Sequence, residues 1–180
     1  MLTAAGSGFS RWRDNAVTRW REDPTCDDWG SWIYVRDVED GALWSAGFQP
    51  VCHEPDSYSV TFNEDRADFV RRDGDLTTSM TVLVSAEDDS EVRRISITNA
   101  GSRARIVEIT SCADLALAPQ PADVAHPVFS RLFVETEYLP ESGALLAHRR
   151  RRDPGDAETW AAHLIVADGH ALGSCEFETD

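Results

Sequence analysis

The sequence predicts an all-β fold, an antiparallel β-sandwich, and three observations lead to this prediction. Several segments alternate apolar and polar side chains with a period of two, which is the pattern of a strand with one buried face. Glycine-containing turns separate these segments, and apolar residues at helical spacing are scarce. Medium-length strands joined by turns, without helices between them, are typical of a sandwich.

The clearest predicted strand is DLTTSMTVLVS at 75–85. Its alternation places five side chains on one face, namely Leu76, Thr78, Met80, Val82 and Val84. Asp73 and Gly74 come just before it and form the strongest hairpin signal in the chain, because glycine tolerates the positive φ of a tight turn. Weaker turn signals of the same kind are EDGA at 39–42, NAGS at 99–102 and ESGA at 141–144.

Alternation and β-branched residues predict further strands along the chain. They are AVTRW at 16–20, YSVTF at 58–62, RISIT at 94–98, RIVEITSCADLAL at 105–117, RLFVETEYL at 131–139 and TWAAHLIVA at 159–167. TWAAHLIVA is more apolar than RLFVETEYL, so we expect it to be the more central strand and its His163 to be a core histidine. PADVAHPVFSRL at 121–132 is predicted to hold one short helical turn, which Pro127 interrupts.

Length and composition predict a single soluble domain over residues 1–180, with 42% hydrophobic residues to form a core. The formal net charge of −15 argues against nucleic acid and anionic membranes as partners. No apolar run approaches the roughly 20 residues that cross a bilayer, and a secretory signal pattern is missing, which predicts a cytoplasmic location. The cysteines form no CxxC pair, so we expect four reduced structural residues and no metal site: Cys26, Cys52, Cys112 and Cys175.

The tryptophans are concentrated near the N-terminus. Five of the six lie in the first 44 residues, and the sixth is Trp160. Tryptophan rings stack on the apolar faces of sugars, and neighbouring charged side chains bond the hydroxyl groups, so this composition suits a carbohydrate. The alternative interpretation is that these rings fill the core and the seams between sheets.

The same region is rich in arginine. Arg11, Arg13, Arg19, Arg21 and Arg36 lie among aspartates and glutamates, and we expect them to form ion pairs across strands. The alternative is a polar rim that docks another domain or contacts a substrate. The run Arg149–Arg152 is expected to be solvated.

Catalytic motifs are not recognisable in this sequence. Carboxylates are too numerous to single out a general acid, the five histidines have no ligand spacing, and there is no GxSxG elbow. GSGFS at 6–10 lacks the spacing of a phosphate-binding glycine loop. We therefore assign no catalytic residue and no cofactor.

Several blocks resemble the N-terminal domain of glycoside hydrolase family 94, the cellobiose-phosphorylase-like family, and above all the members found in bacterial cyclic β-1,2-glucan synthases. The blocks are GSGFS at 6–10, VTRWRED at 17–23, DDWGSWIYVRD at 27–37, LWSAGFQP at 43–50, VRRISITNAGSRARIVEITSCADLAL at 92–117 and AHPVFSRLFVETEY at 125–138. The resemblance covers essentially the whole chain, and the blocks follow in the family's order.

The resemblance implies a galactose-mutarotase-like supersandwich, here expected to lack its last strands. It also implies that a helical linker and an (α/α)6-barrel would follow, with the catalytic Asp and the site for inorganic phosphate, in a protein held at the inner membrane. VTRWRED and SWIYVRD resemble paired early strands of this domain. The GSGFS loop resembles the edge that approaches the barrel or a partner subunit.

These considerations predict a docking or carbohydrate-proximal edge. Its residues are Phe9, Trp12, Arg13, Arg19, Trp20, Arg21, Trp32 and Arg36. The function expected is that of a non-catalytic module that supports the helical barrel and contacts a β-linked glucan. Two alternatives stay open, an autonomous carbohydrate-binding module and an interaction module that associates with itself without touching sugar.

Overall fold

The structure, a computed structural model, describes residues 1–23, 25–151, 155, 158–169 and 173–179. Its strands are β1 (Arg11–Trp12), β2 (Asn15–Thr18), β3 (Ser31–Asp37), β4 (Leu43–Ser45), β5 (Ser57–Phe62), β6 (Arg66–Asp73), β7 (Leu76–Val84), β8 (Glu91–Asn99), β9 (Val107–Ala113), β10 (Leu115–Pro119), β11 (Val134–Leu139), β12 (Ala144–Arg149) and β13 (Trp160–Leu164). Its helices are α1 (Gln120–Ala125) and α2 (Pro127–Arg131). The prediction of an all-β chain of antiparallel strands is confirmed.

The chain divides into two compact units, which we describe separately. The first comprises Met1–Trp12 and Thr18–Asp114, and the second comprises Arg13–Val17 and Leu115–Asp180. That residues 1–180 behave as a single domain stays a prediction.

The first unit is built from two antiparallel sheets. One has the strand order β4-β3-β9 and the other has the order β5-β6-β7-β8. Ile33 of β3 packs with Phe69 of β6 and Met80 of β7, while Val35 packs with Leu76. Apolar residues of both sheets thus pack against each other in two core clusters, as in a sandwich.

The period-two pattern of β7 correctly predicted its buried face. Leu76, Thr78, Met80 and Val82 are buried, whereas Val84 at the end of the strand is 68% exposed. Thr78 is a polar residue in this apolar row, and its hydroxyl accepts a hydrogen bond of 3.2 Å from the buried indole of Trp44. The bond satisfies both groups, so a threonine can occupy a core position.

The hairpin signal at Asp73-Gly74 is confirmed, with the turn displaced by one residue. Asp73 pairs with Leu76 as the last residues of the two strands, so Gly74 and Asp75 form the loop. Gly74 has φ +60°. A glycine with positive φ at the first loop position is typical of a two-residue hairpin.

Strand pairing corrects the expectation drawn from VTRWRED and SWIYVRD. The segment SWIYVRD forms β3, and its neighbours are β4 and β9 rather than the strand near residue 17. Val35 lies opposite both Trp44 and Ile109. The block order in the sequence therefore did not give the order of strands in the sheet.

In the second unit, β2 pairs with β10, and β11, β12 and β13 form a three-stranded sheet. The short helices α1 and α2 lie where one short helical turn, interrupted by Pro127, was expected. No described helix is long and apolar enough to span a membrane. The expectation for TWAAHLIVA was wrong, because β13 is the edge strand of its sheet among the described residues and His163 is exposed. An apolar composition does not reveal whether a neighbouring strand covers it.

Two smaller expectations had mixed outcomes. The four cysteines form no disulfide, but all are exposed and so do not fill the core as structural residues would. Arg150 and Arg151 are exposed as expected. Arg149 is only half-buried and donates hydrogen bonds of 3.1 Å to the carbonyls of Ala116 and Ser130. Arg152 lies outside the described residues.

Candidate functional site

The outer face of the sheet β4-β3-β9 carries a cleft with polar and aromatic walls. Because side chains alternate along a strand, the inward direction of Ile33 and Val35 places Tyr34 and Arg36 on the opposite face of β3. The cleft has a volume of about 290 Å³. Its lining residues are Tyr34, Arg36, Leu43, Glu108 and Thr110. We call this set the outer-face cleft.

Strand register brings the residues of the outer-face cleft together. Tyr34 lies opposite Thr110, and Arg36 lies opposite both Glu108 and Leu43. The Arg36 guanidinium and the Glu108 carboxylate are 3.5 Å apart, and both side chains are about half exposed. An ion pair so open to water contributes little to stability, and its remaining donors and acceptors can bond a ligand.

Tyr34 is the aromatic member of the outer-face cleft. Burial raises the pKa of its phenol, and the nearby Cys112 and Asp28 raise it further. The hydroxyl group therefore stays protonated at neutral pH and can donate a hydrogen bond. Its ring adds an apolar surface beside the ion pair of Arg36 and Glu108.

A second group of aromatic residues lies in the N-terminal segment of the first unit. The rings of Phe9 and Trp20 have centroids 5.6 Å apart, and the Arg21 guanidinium lies 5.6 Å from the centre of the Trp29 ring. Arg21 Nε and Trp29 Nε1 are buried and have no hydrogen-bond partner within the part of the chain that the structure describes. Three predicted edge residues thus lie in this region, and Trp29 joins them although the sequence analysis did not select it. We call Phe9, Trp20, Arg21 and Trp29 the aromatic segment.

The glycines of GSGFS allow the backbone of this segment to lie close to other backbone atoms. Gly8 has φ +150°, and a Cβ atom there would lie 2.2 Å from the carbonyl oxygen of Met1. Gly6 has φ +87°, and its Cβ would lie 3.1 Å from Cα of Gly47. The motif therefore permits close contacts between backbone segments, which explains it without a phosphate.

Arg19 and Trp32 are predicted edge residues that the structure buries, with 1% and 8% exposure. Arg19 Nη1 is 3.0 Å from each carboxylate oxygen of Asp114, so it forms the ion pair that the charge pattern favoured. This partner lies 95 residues away in the sequence. Both side chains are thus out of reach of a ligand in this unit.

Trp12 and Arg13 are the remaining edge residues. Trp12 ends β1 and is half-buried, while Arg13 is exposed, has φ +53° and belongs to the second unit. Of the eight residues predicted for one edge, the structure places Phe9, Trp20 and Arg21 in the aromatic segment and Arg36 in the outer-face cleft. Whether they contact carbohydrate stays a prediction.

A further depression of about 250 Å³ in the first unit has acidic side chains at half of its lining positions, and the lining includes Asp37, Asp73, His53 and Arg105. Burial acts to raise the pKa of Asp37, but hydrogen bonds from the Glu39 backbone and from Arg105 outweigh it, so that pKa is lowered. No three His, Cys, Asp or Glu side chains of the described residues are arranged to hold a metal ion. We interpret the ion pair of Asp37 and Arg105 in this depression as structural.

The sequence was compared with known proteins. Residues 1–180 match the family model described as glycosyl hydrolase 94, supersandwich domain. The chain belongs to this family. The match confirms the family that the N-terminal blocks indicated and agrees with the two-layered first unit.

Relatives of this supersandwich domain are enzymes named for sugar substrates or products. The chain is 39% identical over 181 residues to cyclic beta-(1,2)-glucan synthase NdvB of Rhizobium meliloti (strain 1021), covering 100% of this chain and 6% of that protein. It is 27% identical to solabiose phosphorylase of Paenibacillus borealis over 148 residues, 81% of this chain and 19% of the relative. It is 25% identical to N,N'-diacetylchitobiose phosphorylase of Vibrio furnissii over 130 residues, 69% of this chain and 16% of the relative.

The supersandwich domain thus spans less than a fifth of the length of these curated relatives. Sequence reasoning did not select Tyr34, Glu108 or Thr110, which line the outer-face cleft. Tyr34 could have been found from the sequence, because it lies between Trp32 and Arg36 in a strand with a period of two. Nothing in the sequence pairs Arg36 with Glu108, because 72 residues separate them.

Proposed function

We propose that this supersandwich domain is a non-catalytic module of a cyclic β-1,2-glucan synthase or β-glucan phosphorylase, where it supports the catalytic part and contacts the glucan. Family membership makes a role in carbohydrate metabolism the framework of the proposal. A helical barrel as the supported part, inorganic phosphate as its co-substrate and a cytoplasmic location are parts of this proposal.

The outer-face cleft is the observation that supports glucan contact. It combines the Tyr34 ring with the Thr110 hydroxyl and an open ion pair between Arg36 and Glu108. A pyranose presents apolar C–H groups beside hydroxyl groups that both donate and accept hydrogen bonds. An aromatic ring beside a guanidinium and a carboxylate matches both parts. The opposite charges of the pair balance, which favours a neutral ligand.

The pKa values of four carboxyl groups agree with a non-catalytic role. A glycosidic general acid needs a raised pKa, so that it carries a proton at neutral pH. The carboxyl groups of Asp23, Asp37, Asp68 and Glu91 each have a pKa below the ordinary value. These groups are ionised at neutral pH and would accept protons rather than donate them.

An assay for phosphorolysis tests the non-catalytic role. The chain is incubated with inorganic phosphate and either cellobiose or linear β-1,2-glucan, and glucose 1-phosphate is measured. We expect no release above a protein-free control. Release that scales with protein concentration, and that is lost on heat denaturation, would overturn this part of the proposal.

A second candidate function, an interaction module that associates with itself, is favoured by the β9 edge. Ile109 lies opposite the fully buried Val35, so its side chain points to the core side of the sheet, yet it is 46% exposed. β9 ends the sheet in the described chain and offers backbone groups for another strand. Light scattering distinguishes the candidates, since a mass that stays monomeric at high concentration argues against self-association.

A further inference from the structure

In the second unit, one row of side chains crosses the sheet β11-β12-β13. Glu135, His148 and Trp160 occupy directly opposed positions on the three strands, so they lie side by side on one face. His148 Nε2 is 3.2 Å from the Glu135 carboxylate. The rings of His148 and Trp160 are stacked, with centroids 4.4 Å apart and planes inclined by 18°.

Trp160 is unusual among the tryptophans of the chain. It is 53% exposed, whereas the other five are buried or half-buried. With His148 against one side of the indole, the exposed surface comprises the other side and the ring edge. Trp160 is therefore not a core residue. Its stack with His148 presents a flat apolar platform to solvent.

One charged pair adjoins the Trp160 ring, and a second lies at the Glu135 end of the row, beyond His148. The Trp160 indole N–H donates a hydrogen bond of 3.4 Å to Glu158, whose carboxylate also lies 2.9 Å from Arg151. Arg150 lies 3.5 Å from Glu135. Both carboxylates and both guanidinium groups are about half exposed, so each keeps hydrogen-bonding capacity toward a ligand.

We propose that the exposed face of Trp160, with the adjoining Glu158 and Arg151, is a binding site for a pyranose unit of a neutral glycan. The flat indole takes the apolar face of the sugar ring, and the Glu158 carboxylate and the Arg151 guanidinium bond its hydroxyl groups. The opposite charges of Glu158 and Arg151 balance, so the site has no net attraction for phosphate or nucleic acid. A neutral sugar both donates and accepts hydrogen bonds, so it can bond a carboxylate and a guanidinium group at the same time.

This inference takes only its ligand class, a β-linked glucan, from the proposed function. The residues belong to the second unit and share none with the outer-face cleft. The two sites can therefore succeed or fail separately.

The test uses ¹H–¹⁵N spectra of the full chain titrated with linear β-1,2-glucan oligosaccharides. The Trp160 indole signal, assigned from a Trp160→Phe variant, is expected to shift and saturate at millimolar glucan. Trp160→Ala should weaken the affinity of this site at least about tenfold, followed at the amide of Ala162. Trp160→Phe keeps a flat ring and should retain binding within about threefold.

His163→Ala is the matched control, because it lies on the same strand and is exposed, but points to the other face. Its affinity should equal that of the wild type, and circular dichroism of each variant verifies the fold. A Trp160 signal unmoved at about 10 mM glucan overturns the inference. A response to inorganic phosphate in place of glucan overturns it as well. If Tyr34→Ala abolishes the response of the outer-face cleft while Trp160 still shifts, the two sites are independent.

Discussion

Arg71 donates two hydrogen bonds of 2.7 Å to the carboxylate of Asp73, two residues further along β6, and its side chain is completely buried. Its other N–H groups donate to the carbonyls of Ser45, Gly47 and His53 at 3.0, 2.8 and 3.2 Å. All five guanidinium donors are therefore satisfied. The side chain ties β6 to the loop that follows β4.

Removing this buried cation should strongly destabilise the first unit. Arg71→Ala leaves the Asp73 carboxylate and three carbonyls without their donor, and breaking a buried pair in this way costs about 3–5 kcal/mol. Urea unfolding measures the change in the free energy of unfolding. Arg72→Ala is the matched control, since Arg72 is exposed and should change stability by less than about 0.5 kcal/mol. Equal effects of the two substitutions would contradict the assigned role.

Two glycines with positive φ separate conformational strain from lack of space. Gly74 has no atom within 4 Å of a built Cβ, so Gly74→Ala should cost only about 1 kcal/mol of backbone strain. Gly8→Ala adds a collision with the Met1 carbonyl and should cost about 2 kcal/mol or more, because the N-terminal backbone must move. Thermal unfolding of both variants gives the order, and a Gly8 variant as stable as the Gly74 variant would refute the close contact.

Asp37 should make stability depend on pH on the acid side. Its pKa is below the ordinary value of 3.8 in the folded chain. The resulting stabilisation is fully present above the unfolded-state pKa and is lost as the pH falls through the folded-state value, below about pH 4. Asp37→Asn should therefore destabilise the chain more at pH 7 than at pH 3, as measured by urea unfolding. Asp40→Asn is the matched control, because it also removes a carboxylate beside Arg105 but at an exposed position.

Cys26 should react slowly with thiol reagents although it is exposed. A hydrogen bond to Asp28 is the main cause that raises its pKa to about 11, so little thiolate forms at pH 8. Labelling with a chromogenic disulfide, resolved by mass spectrometry of peptides, gives its rate. Asp28→Asn should speed labelling of Cys26 several-fold and leave the distant Cys175 unchanged. An unchanged Cys26 rate would show that Asp28 does not hold the proton.

Much of the first unit was predictable because period-two alternation depends only on local geometry. Leu76, Met80 and Val82 follow from it directly. The family also followed from local blocks, such as DDWGSWIYVRD. These features need no knowledge of which strands become neighbours.

Strand neighbours and site composition were less predictable because they depend on contacts between distant residues. Arg19 pairs with Asp114, which lies 95 residues further along the chain. β13 lies at an edge despite its apolar sequence, and its exposed Trp160 could not be told from a core tryptophan. The eight predicted edge residues were therefore divided between the outer-face cleft, the aromatic segment, buried positions and, for Trp12 and Arg13, positions that belong to none of these groups.

Glucan contact at the outer-face cleft is tested most directly by mapping backbone amides in ¹H–¹⁵N spectra during titration with linear β-1,2-glucan oligosaccharides. The account predicts saturable shifts at Tyr34, Arg36, Glu108 and Thr110, weakened by Arg36→Ala but not by Arg94→Ala on the exposed part of β8. A cleft whose amides stay unmoved at about 10 mM glucan, in a correctly folded chain, would contradict it.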